Sequence, residues 1–288
     1  GIPDFKFAKK RVEQRVDQLR KEGISFETNA EVGADVSAEQ LRDQYDASCL
    51  AIGAQKHRDL PVPGTDLDGV MKAMDFLPQE NRRQNGRAVN NGVTAEGKNV
   101  VVLGGGDTGA DCVATAHRQG AKQVVQIGIN EKPPSERPDH NPWPEAAQVY
   151  KKTYAQEEGA QQEFAVNTTE LVDTDGDGRV NELKAEKVDW TYENGNRIDK
   201  TVLDPDFRIP ADLVLVAIGF TGPETNPMES IGVRFGDDGT FATGDDMMTH
   251  ADGVFAAGDA RMGASLVVWA IGEGRDAARQ IDRYLTGS

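Results

Sequence analysis

A glycine-rich turn between an apolar strand and a helix constrains this chain more than any other feature. The segment VVVLGGGDTGA covers residues 100–110, so four branched apolar residues run directly into the pattern G-x-G-x-x-G. Residues 110–116 continue as a helix, and a second apolar stretch at 123–127 follows within about the thirty residues that a βαβ unit needs. This order predicts a dinucleotide-binding unit.

Each of the three spaced glycines has a role in binding a dinucleotide. Gly104 permits the tight turn, Gly106 lets the backbone approach a pyrophosphate, and Gly109 lets helix and strand pack closely. The phosphates would then face free N–H groups at a helix N-terminus, where the helix dipole favours negative charge. A glycine turn without a ligand is the alternative, and the flanking strands favour the binding site over it.

Composition and charge set the class of protein. The 288 residues, 38% hydrophobic and 28% charged, are typical of a soluble globular protein with one large or two ordinary domains. No apolar run approaches the roughly 20 residues of a membrane span. The chain has 32 basic and 48 acidic residues, a net charge of −16. Because nucleic acids and anionic membranes bind basic surfaces, we expect neither as a partner.

The cysteines and histidines indicate no metal site. Cys49 and Cys112 each lie in an apolar stretch, which predicts two buried thiols in a reducing compartment, the cytoplasm. Neither a cysteine-ligated iron–sulfur cluster nor a zinc site is expected. The four histidines lie far apart without ligand spacing, so no catalytic histidine is expected either.

Periodicity predicts the other elements. A helix over residues 4–22 has an apolar stripe and ends at Gly23, a strand covers 25–29, a small helix begins near 36, and a buried strand covers 45–54. Residues 70–99 are polar, with a short helix near 71–77 and loops at 82–86 and 90–92.

The second half of the chain alternates loops and strands. Five prolines exclude regular structure from residues 131–144. Short alternating runs between 162 and 212 predict antiparallel strands, buried strands follow at 212–220 and 253–259, and a helix covers 265–284.

Residues 173–178, DTDGDG, copy the first half of a calcium-binding EF-hand loop. The twelfth position is Lys184 instead of a bidentate glutamate, and the flanks have the pattern of strands. A charged hairpin turn is therefore favoured over a calcium site.

Several motifs together resemble the small subunit of glutamate synthase. They are GIPDFK at 1–6, RDLPVPG at 58–64, GGGDTG at 104–109, RQGA at 118–121, NPWPE at 141–145, QEE at 156–158 and SLVVWAI at 265–271. The resemblance covers the whole chain and implies an oxidoreductase that takes hydride from NAD(P)H onto FAD. Its electrons would pass through iron–sulfur clusters to the glutamate synthase large subunit, which makes glutamate from glutamine and 2-oxoglutarate.

The resemblance also implies two dinucleotide sites. The NAD(P) pyrophosphate would lie on the glycine turn, formed by Gly104, Gly105, Gly106, Asp107, Thr108 and Gly109. The flavin would contact a second set of residues: Gly219, Gly258, Asp259, Ala264, Ser265 and Leu266. In that set the Asp259 carboxylate would accept a hydrogen bond from a flavin hydroxyl, and the helix after Ala264 would direct N–H groups at the flavin ring. A buried strand ending in a turn is the simpler interpretation of each flavin position.

Two features of the family are missing from the sequence. A cysteine-rich iron–sulfur segment and a first G-x-G-x-x-G for the FAD pyrophosphate would precede Gly1, and Ala264 stands where glutamine is expected. The chain is therefore expected to be an N-terminally truncated subunit. By itself it would hold FAD weakly or not at all and would be inactive.

The sequence thus predicts an α/β fold. A Rossmann-like nucleotide-binding domain with a parallel sheet, residues 81–245, would be inserted into an incomplete FAD-binding domain, residues 1–80 and 246–288. The predicted function is electron input to glutamate synthase, without a catalytic side chain because the cofactors carry the hydride. Two alternatives remain: a related flavin-dependent reductase subunit, and a non-catalytic nucleotide-binding fragment.

Residues after the second strand predict a preference for NAD over NADP. Glu131 lies twenty-two residues after Gly109, about where a ribose-binding carboxylate belongs, and it would favour NAD by repelling a 2′-phosphate. Lys132 and Arg137 would reverse that preference by pairing with the phosphate.

Overall fold

A computed structural model describes residues 1–139, 141–144, 147, 149–193 and 196–287. Its contacts divide the chain into two compact units. Unit 1 comprises Gly1–Arg15 and Leu60–Ile218, and unit 2 comprises Val16–Asp59 and Gly219–Ser288. The sequence predicts domain boundaries near residues 80 and 245, whereas the two units meet along the chain at other residues. The domain boundaries stay a prediction.

The helices and strands follow one another along the chain with these bounds: α1 Lys9–Lys21, α2 Ala38–Gln44, β1 Ser48–Leu50, β2 Lys56–His57, β3 Val70–Lys72, α3 Ala73–Gln84, β4 Asn99–Leu103, α4 Asp107–Arg118, β5 Gln123–Ile127, α5 Tyr154–Glu157, β6 Gln161–Glu163, β7 Val166–Val172, β8 Glu182–Glu193, β9 Asn196–Pro210, β10 Leu213–Val216, β11 Phe220–Gly222, a 3₁₀ turn Glu229–Ile231, β12 Val254–Ala256, α6 Asp259–Met262 and α7 Val267–Thr286.

Unit 1 is built on a parallel sheet of five strands in the order β3-β10-β4-β5-β6. Its central strand β4 is apolar at four successive positions because both faces of the sheet are covered. Val100 and Val102 pack with helices α3, α4 and α5, whereas Val101 and Leu103 pack with the antiparallel sheet of β7, β8 and β9. The unit therefore has three layers, with the parallel sheet in the middle, and the predicted α/β class is confirmed.

Unit 2 contains two short sheets. Strands β1 and β12 pair in parallel, and β2 pairs with β11 in antiparallel orientation. Leu50, Val254 and Ala256 form its core with Phe241 and Val233. The predicted strands at 45–54 and 253–259 are thus present, although the regular pairing covers only three residues of each.

Some local predictions were wrong. The first helix begins at Lys9 instead of residue 4, and none of its residues is buried, so its apolar stripe covers no core. No strand forms at 25–29, because this segment pairs with no other strand within the described ranges. Helix α3 continues through residues 82–84, predicted as loop, because Glu80 binds both Arg83 and Gln84 one turn later.

One of the two cysteines is buried as predicted, and the other is exposed. Cys112 is buried in α4 as predicted, where burial raises the pKa of its thiol. Cys49 is exposed, so the prediction of two buried thiols was wrong for this residue. Strand β1 buries Leu50 beside it, and the neighbouring side chain faces the other side of the pleat.

The DTDGDG segment is a hairpin turn, as predicted. It joins the antiparallel strands β7 and β8. The Asp173 carboxylate accepts hydrogen bonds from four backbone N–H groups, those of Asp175, Gly176, Asp177 and Gly178. These bonds lower the pKa of Asp173, so this carboxylate closes the turn.

The proline-rich segment contains no helix or strand over its described residues, as predicted. Two residues named above lie outside the described residues: His140, one of the four histidines, and Glu145, the last residue of the NPWPE motif.

Candidate dinucleotide-binding site

The glycine turn lies between β4 and α4 in unit 1. Gly104 adopts a φ of +123°, which glycine alone takes without strain, and a Cβ there would lie 2.1 Å from the Ala217 carbonyl oxygen. A Cβ on Gly109 would lie 2.2 Å from the Gly104 oxygen. Both positions therefore require glycine for packing within the fold.

Gly105 and Gly106 differ from these two. Apart from the adjacent residues of the chain, no atom lies within 4 Å of a Cβ built on either residue, and both are exposed. Gly106 is the N-cap of α4, with extended backbone and no side chain to accept from the first N–H groups. This part of the turn is an open cradle of backbone donors, which fits a pyrophosphate.

Asp107 and Thr108 form the first turn of α4 beside that cradle. Asp107 is exposed and Thr108 is half-buried. Their backbone N–H groups belong to the end of the helix where free donors and the helix dipole coincide. The structure thus brings all six predicted residues of the turn together at one helix N-terminus.

A buried glutamine holds the turn from behind, and sequence reasoning missed it. Gln126 of β5 is 2% exposed, and its Nε2 donates to the Gly104 carbonyl oxygen over 2.9 Å. Its Oε1 accepts from Gln156 at 2.7 Å and from Gln162 at 3.1 Å. The available signal was a polar residue inside the apolar run of β5.

The residues considered for cofactor choice follow β5, which ends at Ile127. Glu131 and Lys132 are both exposed. The Lys132 ammonium lies 4.6 Å from the centre of the Tyr150 ring, a cation–π contact. Arg137 donates to the Asn141 carbonyl over 2.9 Å. The Lys132 ammonium thus lies at the surface, in contact with an aromatic ring.

The predicted flavin residues lie in unit 2. Gly258 has a φ of +67° and precedes α6, and the Asp259 carboxylate accepts from the Ser265 hydroxyl at 2.9 Å and from the Ser265 N–H at 3.3 Å. The structure therefore brings Asp259 and Ser265 together. One carboxylate oxygen of Asp259 already has a partner within the protein.

The start of α7 is open. Leu266 is its N-cap without a side-chain acceptor, and Ala264, Ser265 and Leu266 are exposed. Gly219 has a φ of +97°, and its carbonyl accepts from the Arg58 N–H at 3.0 Å. Backbone groups, more than side chains, are what these positions offer to a ligand.

Unit 2 also contains a cavity that the sequence did not reveal. It has a volume of about 570 Å³ and lies beside β1. Residues from three separate segments line it, within 30–32, 41–55 and 224–228. The volume is in the range of ligand pockets, and no local motif marks it because its walls are distant in sequence.

Within the described ranges, no group of three or more His, Cys, Asp or Glu side chains is arranged to hold a metal ion. In the same part of the chain, no helix combines the length and the apolar character needed to cross a membrane.

Comparison with known proteins gives three findings. The sequence model of the pyridine nucleotide-disulphide oxidoreductase family matches residues 5–274. The chain is 49% identical to the glutamate synthase [NADPH] small chain of Mycobacterium tuberculosis and 43% identical to that of Bacillus subtilis, covering 100% of this chain in both cases and 59% and 60% of the relatives. It thus spans about three-fifths of their length.

Solved structures show the same fold. Mycobacterium tuberculosis FprA in complex with NADPH superposes with a TM-score of 0.70 at 17% identity, over 99% of this chain and 73% of FprA. At this identity the similarity concerns the fold alone.

Proposed function

Because the chain belongs to the pyridine nucleotide-disulphide oxidoreductase family, we propose that it is the electron-input part of a glutamate synthase small chain, oxidising NADPH and reducing FAD. The observation that carries this proposal is the identity of 49% and 43% to two such small chains along the whole chain. The proposed partner is the glutamate synthase large chain.

Unit 1 would bind the nicotinamide nucleotide. The open cradle at Gly105 and Gly106 leaves room for a pyrophosphate, and the first N–H groups of α4 would donate to it. The rigid contacts at Gly104 and Gly109 keep those donors in place without a ligand. Such preorganisation lowers the cost of binding, because the turn need not be ordered when the nucleotide arrives.

Unit 2 would bind the flavin. The Gly258 turn, the open start of α7 and the cavity beside β1 supply backbone donors and volume. When bound, FAD would supply the hydride chemistry, so the protein's task is to bind and orient the two cofactors. No side chain is therefore assigned a catalytic role.

We propose NADPH as the preferred donor. Both relatives carry NADPH in their names, and Lys132 offers a surface cation for a 2′-phosphate. The neighbouring Glu131 favours NADH instead, since its carboxylate would accept from a free 2′-hydroxyl and repel a phosphate. The two effects compete at adjacent residues, and a direct comparison of the two nucleotides resolves them.

Calorimetric titration of the purified chain with NADPH and with NADH tests the proposal. We expect one nucleotide site and tighter binding of NADPH. In a second step, NADPH oxidation is assayed with excess FAD and an artificial electron acceptor. Absence of binding by either nucleotide would overturn the proposal. Because this chain alone is expected to hold FAD weakly or not at all, we expect little oxidation in the second step, and rapid flavin-dependent turnover would contradict that expectation.

A further inference from the structure

Gln126 is a polar side chain in an apolar place. It lies on the helix-facing side of β5, the side on which Val124 joins the core with α3, α4 and α5. Its side chain is nonetheless buried to 2% exposure. Burying an amide costs free energy unless its hydrogen bonds are made. The partners of the Gln126 amide therefore indicate what this side chain does.

Its amide group makes directed hydrogen bonds at both ends. Gln156 and Gln162 donate to Oε1, which leaves Nε2 directed at the Gly104 carbonyl oxygen. Gln162 is also the register partner of Gln126 in the neighbouring strand β6. The two donors fix which end of the amide faces the glycine turn, because a reversed amide would place N–H groups against N–H groups.

Strand β5 holds both backbone polar groups of Gly104, the N–H and the carbonyl. Its N–H donates to the Ile127 carbonyl at 2.9 Å, and its carbonyl oxygen accepts from Gln126 at 2.9 Å. The same oxygen lies so close to Gly109 that a Cβ there would be 2.2 Å away. The carbonyl is thus held between strand and helix at the point where the turn begins.

We propose that Gln126 is a positioning residue for the nicotinamide nucleotide: it holds the Gly104 carbonyl, and thereby the turn, in the conformation that directs the first N–H groups of α4 at the pyrophosphate. This inference rests on the proposed function. Without the amide, the carbonyl has no buried donor and the turn populates other conformations. The measured affinity then falls in proportion to the competent fraction.

The test compares two buried glutamines of the same network. Gln126→Met keeps the length of the side chain and removes the donor to Gly104, whereas Gln156→Met leaves that hydrogen bond in place. We expect Gln126→Met to weaken NADPH binding about tenfold, since a buried carbonyl loses its partner. Gln156→Met should change the affinity by no more than about twofold. Both should lower the thermal midpoint.

A second readout needs no nucleotide. Amide hydrogen exchange at residues 104–109 should be faster in Gln126→Met than in Gln156→Met, because only the former frees the turn. If Gln126→Met does not fold, Gln126→Asn replaces it, since a side chain one methylene shorter withdraws the amide from Gly104 without adding bulk.

Wild-type affinity in a folded Gln126 variant would overturn the inference, as would equal losses of affinity in the Gln126 and Gln156 variants. Failure of the wild-type protein to bind any nicotinamide nucleotide would instead overturn the proposed function. Hydrogen exchange of the turn would still test the role of Gln126 in that case.

Discussion

Replacement of Gly106 by valine separates nucleotide binding from folding. Gly106 has φ −85° and ψ −174°, an extended conformation that any residue adopts. A Cβ at this position meets no atom within 4 Å other than those of the adjacent residues. The folded protein should therefore accept the larger side chain, whereas a pyrophosphate that needs close approach of the backbone should not.

The expected effect on stability is small. Valine is a poorer N-cap than glycine by up to about 1 kcal/mol. Loss of glycine stabilises by about 0.4–1 kcal/mol through the unfolded chain. The two contributions nearly cancel, so the thermal midpoint of Gly106→Val should stay within about 4 °C of the wild type.

The expected effect on binding is large. An isopropyl group in the cradle displaces the pyrophosphate from at least two backbone donors. Hydrogen bonds to a charged group contribute about 1.5–3 kcal/mol each, so about 3–6 kcal/mol of binding free energy is lost. This corresponds to a decrease in affinity of two to four orders of magnitude.

Calorimetry with NADPH and thermal unfolding measure the two effects separately. Gly109→Ala is the matched control, since its new methyl group would lie 2.2 Å from the Gly104 oxygen and must displace the backbone. Overpacking of this kind costs about 1–3 kcal/mol, so this variant should lose both stability and affinity. A Gly106→Val protein that binds NADPH as tightly as the wild type would refute the assignment of the cradle.

Three further predictions concern other parts of the chain. Lys132→Ala should lower the affinity for NADPH about tenfold and leave that for NADH nearly unchanged, as measured by parallel titrations. Burial and the hydrogen bond to Asp111 raise the pKa of Tyr154 above its ordinary value of 10.0, so the folded state retains this proton longer. Stability should therefore fall as the pH rises above about 10, and Tyr154→Phe should flatten that fall in urea denaturation series. Asp173→Ala should lower the thermal midpoint at neutral pH and have less effect in acid, because the depressed pKa of Asp173 means that its contribution is lost as the pH falls below its ordinary value of 3.8.

The central strand, glycine turn and helix were predictable because each has a local cause. An apolar run without polar interruption predicts a strand buried on both faces, and the glycine spacing predicts the turn that follows it. The structure places Val100 and Val101 on opposite, equally covered faces. The hairpin at Asp173 was predictable for the same reason, since its turn bonds lie within five residues.

Contacts between distant residues were not predictable in this way. The Asp111 carboxylate, buried in α4, accepts from Lys6 at 2.9 Å and from Tyr154 at 2.5 Å. The first of these partners is 105 residues away in sequence. No local pattern indicates that residues near the start of the chain dock on a helix of unit 1.

The support of the glycine turn was missed for a related reason. The four successive buried positions of β5 predict an apolar side chain at Gln126, and only the three-dimensional neighbourhood shows what its amide binds. The cavity beside β1 likewise takes its walls from segments about 180 residues apart. A local motif marks the glycines that we propose to face the ligand, but it does not mark the residues that hold them.

The most direct test of the account is to map where NADPH binds. Hydrogen exchange of the purified chain is measured with and without saturating NADPH, with mass spectrometric resolution of peptides. We predict protection concentrated in peptides that cover residues 104–109 and the end of β5. Protection confined to the segments that line the cavity in unit 2, with unchanged exchange at the glycine turn, would contradict it.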